Sequence, residues 1–281
     1  MSFDSVGSSQ LEGKAFRLEE KDKVKVLRVW PQEAGVSALF TLRPLSLSSA
    51  GPYGPATVEA HREMVTRAFL PRHPVTVRQV HGTRVLLGDA GAGAATGWTC
   101  LGQGDGLATT QEGLPLAVFC ADCAPVYLYD RSGRRGALLH AGWRGALSGI
   151  PRAGVEYLLG LPSRAGARKA DLLAAVGPCI GPCCYRVGSE VEEAARQALG
   201  RRADEVLIGQ GDGLHFDLAG AIAIMLEEAG VPGRHIQISR LCTSCHPEFF
   251  HSHRRDRGYT GRMAAILTLA SDTGNTEGGR A

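Results

Sequence analysis

Two imidazoles and one thiol are the residues of this chain best suited to hold a metal ion. His81 lies in QVHG, Cys123 in ADC, and His140 heads HAGWRG. Small residues flank them, which lets backbone, solvent and a cation approach closely. Two nitrogens and one sulfur make three ligands and leave a fourth position open for water or a substrate atom. That is the pattern of a catalytic metal site rather than a closed structural one. Asp122, beside Cys123, reads either as a turn-former after a strand or as a carboxylate that supports a ligand or accepts a proton.

The other polar clusters have weaker readings. Cys120–Cys123 and Cys242–Cys245 are both CxxC pairs, but they lie far beyond the tens of residues over which compact zinc fingers close. Cys120, at the end of the apolar run LAVFC, reads as a small core residue. Cys179, Cys183 and Cys184 in GPCIGPCCYRVG read as thiols of a tight structural loop, with metal binding as the less favoured alternative. The His251-Ser252-His253 alternation resembles one copper-binding pair, whereas a multicopper centre needs several. Arg254, Arg255 and Arg262 read as an anion clamp or as a solvated basic loop. Trp143 and Arg144 offer a stacking face and a fork of donors to a substrate, or packing and an ion pair.

These residues must be positioned by short strands and a few helices. VKVLRVW (24–30) and VTVRQVHG (75–82) read as strands, the second placing His81 at its end, with RVLLG after it as a hairpin partner. LPLAVF leads into the ADC motif. PVYLYD and GALLHAGW, joined by Ser-Gly, read as a hairpin that ends on His140. The stretch 145–161 has helical spacing, and ADLLAAVGP reads as a strand. Ser189 and Glu192 suggest a capping box for a helix over 189–199, and Asp217 and Gly230 bracket another over 217–231. IQISR reads as a strand leading into CTSC. Strands and helices are mixed in order, which predicts an α/β or α+β sandwich rather than a regular βαβ repeat.

A length of 281 residues allows a substantial core. The polar, aperiodic segments 1–22 and 271–281 read as poorly ordered tails around one catalytic domain at 23–270. Net charge is +3, too mild to predict nucleic acid as a partner. No apolar run approaches the roughly 18 residues of a membrane span. The N-terminus lacks the apolar core of a signal peptide. A cytoplasmic location, with the eight cysteines free or metal-bound, is therefore expected.

QVHG, GDGLAT, ADCAPVYLYD, HAGWRG, GPCIGPCCY and CTSC…FFHSHRRDRGYTGRMAAIL occur here in the order of one family. The chain resembles, from about Val24 to Leu269, the purine nucleoside phosphorylase family once labelled multicopper polyphenol oxidase or laccase-domain proteins. The resemblance implies an α+β fold: a single domain with two mixed β-sheets between α-helical layers, similar to the catalytic domain of cytotoxic necrotizing factor. It implies zinc on His81, Cys123 and His140. It implies phosphorolysis of adenosine, guanosine, inosine and methylthioadenosine, with hydrolytic deamination of adenosine. Purine nucleosides and phosphate would be the partners, and the protein would be a monomer or homodimer. His81, Cys123, His140 and Asp122 are the expected catalytic residues, with Arg43, Arg144 and Arg255 binding substrate phosphate. The segment TLRPLSLSSAGPYGPATVEAHREM departs from the family pattern: it keeps Arg43 but lacks a double glycine, and His61 precedes Arg62 where the family has Asn.

Three other functions fit parts of the sequence. One is a Cys-His hydrolase or deamidase with Cys123 as nucleophile and His140 as base. Another is a copper-dependent phenol oxidase. The last is a zinc-stabilised binding module without activity.

Overall fold

The computed structural model describes residues 15–30, 32–33, 35–89, 97–132, 134–163 and 168–271. One sheet has seven strands in the order β1 (Phe16–Lys21), β2 (Val24–Val29), β3 (Val36–Thr41), β15 (Met263–Leu269), β8 (Leu116–Cys120), β4 (Val75–Arg78) and β6 (Thr99–Gln103). The other has six: β14 (Ile236–Ile238), β11 (Leu172–Val176), β9 (Ala124–Asp130), β10 (Arg135–Ala141), β7 (Gly106–Thr109) and β5 (Val85–Leu87). A separate hairpin joins β12 (Leu207–Gln210) to β13 (Gly213–Phe216). The helices are α1 (Pro55–Phe69), α2 (Trp143–Leu147), α3 (Ile150–Gly160), α4 (Ser189–Leu199) and α5 (Leu218–Glu228).

Strand periodicity sets the layering. In β9, Val126 and Leu128 pack towards the helices α3 to α5, while Tyr127 and Tyr129 point into the seam between the sheets. β10 and β11 alternate in the same way. On the far sheet, Ala265 and Leu267 of β15 face the seam and Ala264 and Ile266 face the layer that contains Val65 and Ala68 of α1. Both faces of the central strands are thus covered, so these strands read as continuous apolar runs. The Tyr127 hydroxyl donates to the Leu39 carbonyl at 2.9 Å, which satisfies a buried phenol and links β9 to β3 across the seam.

The chain passes from the seven-stranded sheet to the six-stranded one at β4→β5, β6→β7 and β8→β9. β4 is parallel to both β6 and β8. β5 is parallel to β7, and β7 and β9 are both antiparallel to β10. All three crossings therefore occur at one end of the seam.

Single-domain α+β architecture with two mixed sheets matches the expectation, and several local readings change. Of the expected tail 1–22, residues 1–14 lie outside the described residues, but 16–21 form edge strand β1, paired with β2. Residues 272–281 also lie outside. The 84–88 run is not a hairpin partner of β4; β5 joins the other sheet beside β7. The 145–161 helix divides into α2 and α3 at Gly149, whose φ of +100° a side chain would strain. Gly188, not Ser189, caps α4, so the capping box does not form and Glu190 and Glu192 simply favour the positive end of the helix. Asp217 does cap α5, accepting the Gly220 amide at 2.9 Å. Helix α1 falls in the Gly- and Pro-rich stretch for which the sequence suggested no element; Pro55 opens it without costing a hydrogen bond.

Candidate metal centre

The three sheet-to-sheet crossings build the site. The β4→β5 crossing carries His81, β6→β7 carries Asp105, and β8→β9 carries Asp122 and Cys123; His140 comes from the end of β10. The ligand atoms of His81, Cys123 and His140 all lie within 4.8 Å of one another. The two imidazole rings are 5.0 Å apart and inclined at 73°.

Asp105 organises this group. It is fully buried, and its carboxylate accepts the amides of Val80, His81 and Gly82 at 3.1, 2.9 and 2.8 Å. Successive N–H groups converging on an anion form a nest, which holds His81 at a left-handed φ of +60°. The same carboxylate lies 3.0 Å from Nδ1 of His140. Nδ1–H therefore donates to Asp105, and the Nε2 lone pair is left for a cation. Burial pushes the Asp105 carboxyl up, but the His140 hydrogen bond and the Gly82 and Val80 amides outweigh it and hold the group below the usual carboxylate range.

The ligands influence each other. Burial raises the Cys123 thiol, yet the neighbouring His140 and His81 overcome this and bring it down to about 6. Burial also disfavours charge on His140, and the Cys123 thiolate and Asp105 reverse that, lifting it to about 9. Without a cation the pair is a thiolate beside an imidazolium. A soft sulfur and two imidazoles, with a carboxylate behind one ring, suit a borderline-soft cation such as zinc. Gly142 makes the cradle possible. A Cβ there would lie 2.9 Å from Cys123 Sγ and 3.0 Å from His81 Cδ2, in the space the ligands occupy.

The site opens into a cavity of about 580 Å³, within the range for small-molecule sites. Its lining includes Arg78, Arg144, Arg254 and Arg262, with Tyr185, His253 and Ser48. Asp122 also lines it, but both carboxylate oxygens are engaged. Oδ1 accepts from the Thr243 hydroxyl and Oδ2 from the Arg254 amide, each at 2.6 Å. Asp122 thereby ties Cys123 to the 243–254 segment.

Two expected phosphate ligands are not brought to the cavity. Arg43 donates to the Pro247 carbonyl at 2.8 Å. Arg255 spends its guanidinium on Asp256 and on the carbonyls of Thr243 and Phe250. Arg144 does line the cavity, beside the Trp143 ring and paired with Glu190 at 3.1 Å. Arg254 and Arg262, the other two arginines read as an anion clamp, do line the cavity; Arg262 gives Nη1 to the carbonyls of Thr260 and Gly261, with no carboxylate at ion-pair distance among the described residues. His251 is turned away, against the Leu45 carbonyl at 3.1 Å, so the His-Ser-His alternation does not form a ligand pair. The two CxxC motifs belong to different groups: Cys123 joins the imidazoles, while Cys242 and Cys245 meet Cys183 and Cys184. Cys120 is core, as expected.

A buried carboxylate–histidine pair beside a thiol and a second imidazole, open to a cavity lined by arginines, forms on a two-sheet α+β scaffold a group of side chains able to hold a metal ion. The family model described as multi-copper polyphenol oxidoreductase laccase matches residues 32–270, and the chain belongs to that family. It is 41% identical over 204 residues to purine nucleoside phosphorylase YlmD of Geobacillus stearothermophilus, covering 71% of this chain and 73% of that one. It is 32% identical over 252 residues to purine nucleoside phosphorylase YfiH of Escherichia coli, covering 85% and 96%. The crystal structure of Bacillus licheniformis hypothetical protein YfiH superposes with a TM-score of 0.82 at 31% identity, covering 92% of this chain and all (100%) of that one. No helix among the described residues is long and apolar enough to cross a membrane.

Proposed function

We propose that the protein is a zinc-dependent purine nucleoside phosphorylase acting on adenosine, guanosine, inosine and methylthioadenosine, and that it also deaminates adenosine. The observation that carries this reading is the convergence of His81, Cys123 and His140 at the wall of a cavity rich in guanidiniums. The phosphorylase names of the relatives supply the substrate class.

Zinc held there would supply concentrated positive charge, stabilising negative charge that develops on a substrate atom. Asp105 fixes the tautomer and aim of His140. Tyr185, Trp143 and Phe119 give the cavity aromatic surface for a purine. Arg262, Arg78 and Arg254 favour a phosphate dianion, with His253 and Ser48 as further polar partners. In phosphorolysis a phosphate oxygen bonds to ribose C1′ as the bond to the base breaks, and the base departs with the electron pair. Fixed guanidiniums hold the nucleophile for that displacement.

The test is incubation of the metal-loaded protein with inosine and phosphate, then with adenosine with and without phosphate. Free base and ribose 1-phosphate are expected only with phosphate, and inosine is expected from adenosine without it. Absence of base release sinks the phosphorylase reading; absence of inosine sinks the deaminase part alone.

One observation favours a second reading. Cys123, His140 and Asp105 form a nucleophile–base–orienting carboxylate series, with the thiol poised to ionise. A Cys-His hydrolase would use it without metal. A covalent substrate adduct on Cys123 in metal-free protein supports that alternative, and tight stoichiometric zinc counts against it. The copper oxidase reading lacks support in the donor set: neither potential metal group among the described residues gathers more than two of the nine histidines.

A further inference from the structure

A second cluster of metal-ligating side chains lies outside the cavity and plays no part in the chemistry above. Cys183 and Cys184 sit in the loop between β11 and α4, and Cys242 and Cys245 in the loop after β14. All four sulfurs lie within 4.8 Å of one another, with Cys245 Sγ 3.4 Å from both Cys183 Sγ and Cys184 Sγ. These are not disulfide distances, since bonded sulfurs sit about 2.05 Å apart. Four sulfurs placed about 2.3 Å from one tetrahedral cation would be about 3.8 Å apart. Two of the spacings are 3.4 Å and none exceeds 4.8 Å, close enough for small side-chain adjustments to reach that value. They are also too tight for a polynuclear iron–sulfur cluster, whose inorganic core spreads its cysteines further.

The backbone ties the two cysteine loops together and serves one of the sulfurs. The Gly181 amide donates to Cys242 Sγ at 3.3 Å. Two main-chain bonds pin the loops together, Cys179 N–H to Leu241 O at 3.3 Å and Thr243 N–H to Cys179 O at 3.0 Å. Arg255 holds the Cys-Thr-Ser-Cys turn through the Thr243 carbonyl at 2.9 Å. The cluster is therefore positioned by both loops. Cys183 and Cys245 are exposed and Cys242 is buried, so a cation can enter from solvent.

We propose that Cys183, Cys184, Cys242 and Cys245 form a second, structural site that binds one zinc ion through four thiolates. Binding proceeds by loss of the thiol protons to solvent and formation of zinc–sulfur bonds, with no change of oxidation state. The ion staples the two loops. Tyr185 follows Cys184, and the Asp122–Thr243 bond lies beside Cys242, so the staple braces one wall of the cavity without touching substrate. This site does not depend on the reaction assigned to the cavity.

The experiment is metal analysis of reduced, zinc-loaded protein in which the cavity site has been removed by His81→Ala and His140→Ala. One zinc per chain should remain, and X-ray absorption at the zinc edge should show four sulfur neighbours at about 2.3 Å. Substituting cobalt should give the intense near-ultraviolet sulfur-to-metal band of tetrahedral thiolate coordination. In an otherwise unaltered chain, Cys242→Ser with Cys245→Ser should lower zinc content by one ion per chain and lower Tm. If that variant does not fold, the X-ray absorption measurement on the first variant decides alone. Less than a tenth of an equivalent of zinc in the first variant, or a shell of nitrogen and oxygen, overturns the proposal. So does recovery of these four residues as disulfides that take up no zinc after reduction.

Discussion

Asp105 and His140 are joined twice: the Asp105 carboxylate lies 3.0 Å from His140 Nδ1, and the His140 amide donates to the Asp105 carbonyl at 2.7 Å. Together with the nest that positions His81, these bonds make Asp105 the residue on which both imidazoles depend. Asp105→Asn keeps the shape but removes the charge and turns an amide donor towards N–H groups. Zinc affinity of the cavity site should fall about 10- to 100-fold. Competition with a chromophoric chelator measures it, and unchanged affinity would show that the carboxylate does not orient the ligands.

The metal-free site should be chemically reactive. Burial works against ionisation of Cys123, but His140 and His81 bring it down to about 6. Alkylation by iodoacetamide should be slow below pH 6, rise through a midpoint near 6, and level off above it as the thiolate population saturates. His140→Ala should move the midpoint upward, to or beyond the ordinary thiol value of about 8.5. A wild-type midpoint already at 8.5 would contradict the thiolate–imidazolium pair.

Arg262 and Arg255 should separate under substitution. Arg262→Ala should raise the KM for phosphate about tenfold or more, as expected from loss of a charge-assisted hydrogen bond of about 1.5–3 kcal/mol. Arg255→Ala should leave phosphate dependence alone and lower stability by about 1–3 kcal/mol, because its partners are Asp256 and backbone carbonyls. Steady-state kinetics and urea denaturation read the two effects. Equal phosphate effects would place both guanidiniums on the anion.

His251 should make the protein acid-sensitive. Burial, then the charge of Arg43, lowers this imidazole from 6.5 to about 4. An unfolded chain protonates it below about 6.5 and the folded one only near 4, so stability falls as pH drops between those values. The loss should reach on the order of 2–3 kcal/mol. His251→Asn should show a shallower decline of Tm from pH 7 to 4.5, and an unchanged slope would remove His251 as the cause.

That His81, Cys123 and His140 belong together was legible because each type is chemically distinctive and each is followed by small residues, and the structure gathers the three. Asp105 was not. Its sequence context, a lone Asp between glycines, is that of an ordinary turn, and only the pairing of β7 with β10 brings it under His140. Of the three arginines read as an anion clamp, Arg254 and Arg262 line the cavity and Arg255 does not, for a related reason. In HRRDRGYTGR, spacing cannot say which guanidinium faces a cavity and which folds back on a neighbouring carboxylate. Hairpin β9–β10 was readable because its partners are adjacent in sequence, whereas β5 looked like a partner of β4 for the same reason and pairs elsewhere. The cysteine pairs were visible as CxxC, but which thiols meet depends on loops brought together by the parallel pairing of β11 with β14.

Because His81, Asp105 and Cys123 all sit where the chain steps between sheets, the cation would act as a rivet through the end of the sandwich. With a cation bound, the two sheets could not part there without moving His81 or Cys123 away from it. Retention of a bound cation would thus be a gauge of whether the two halves are still held together at that end.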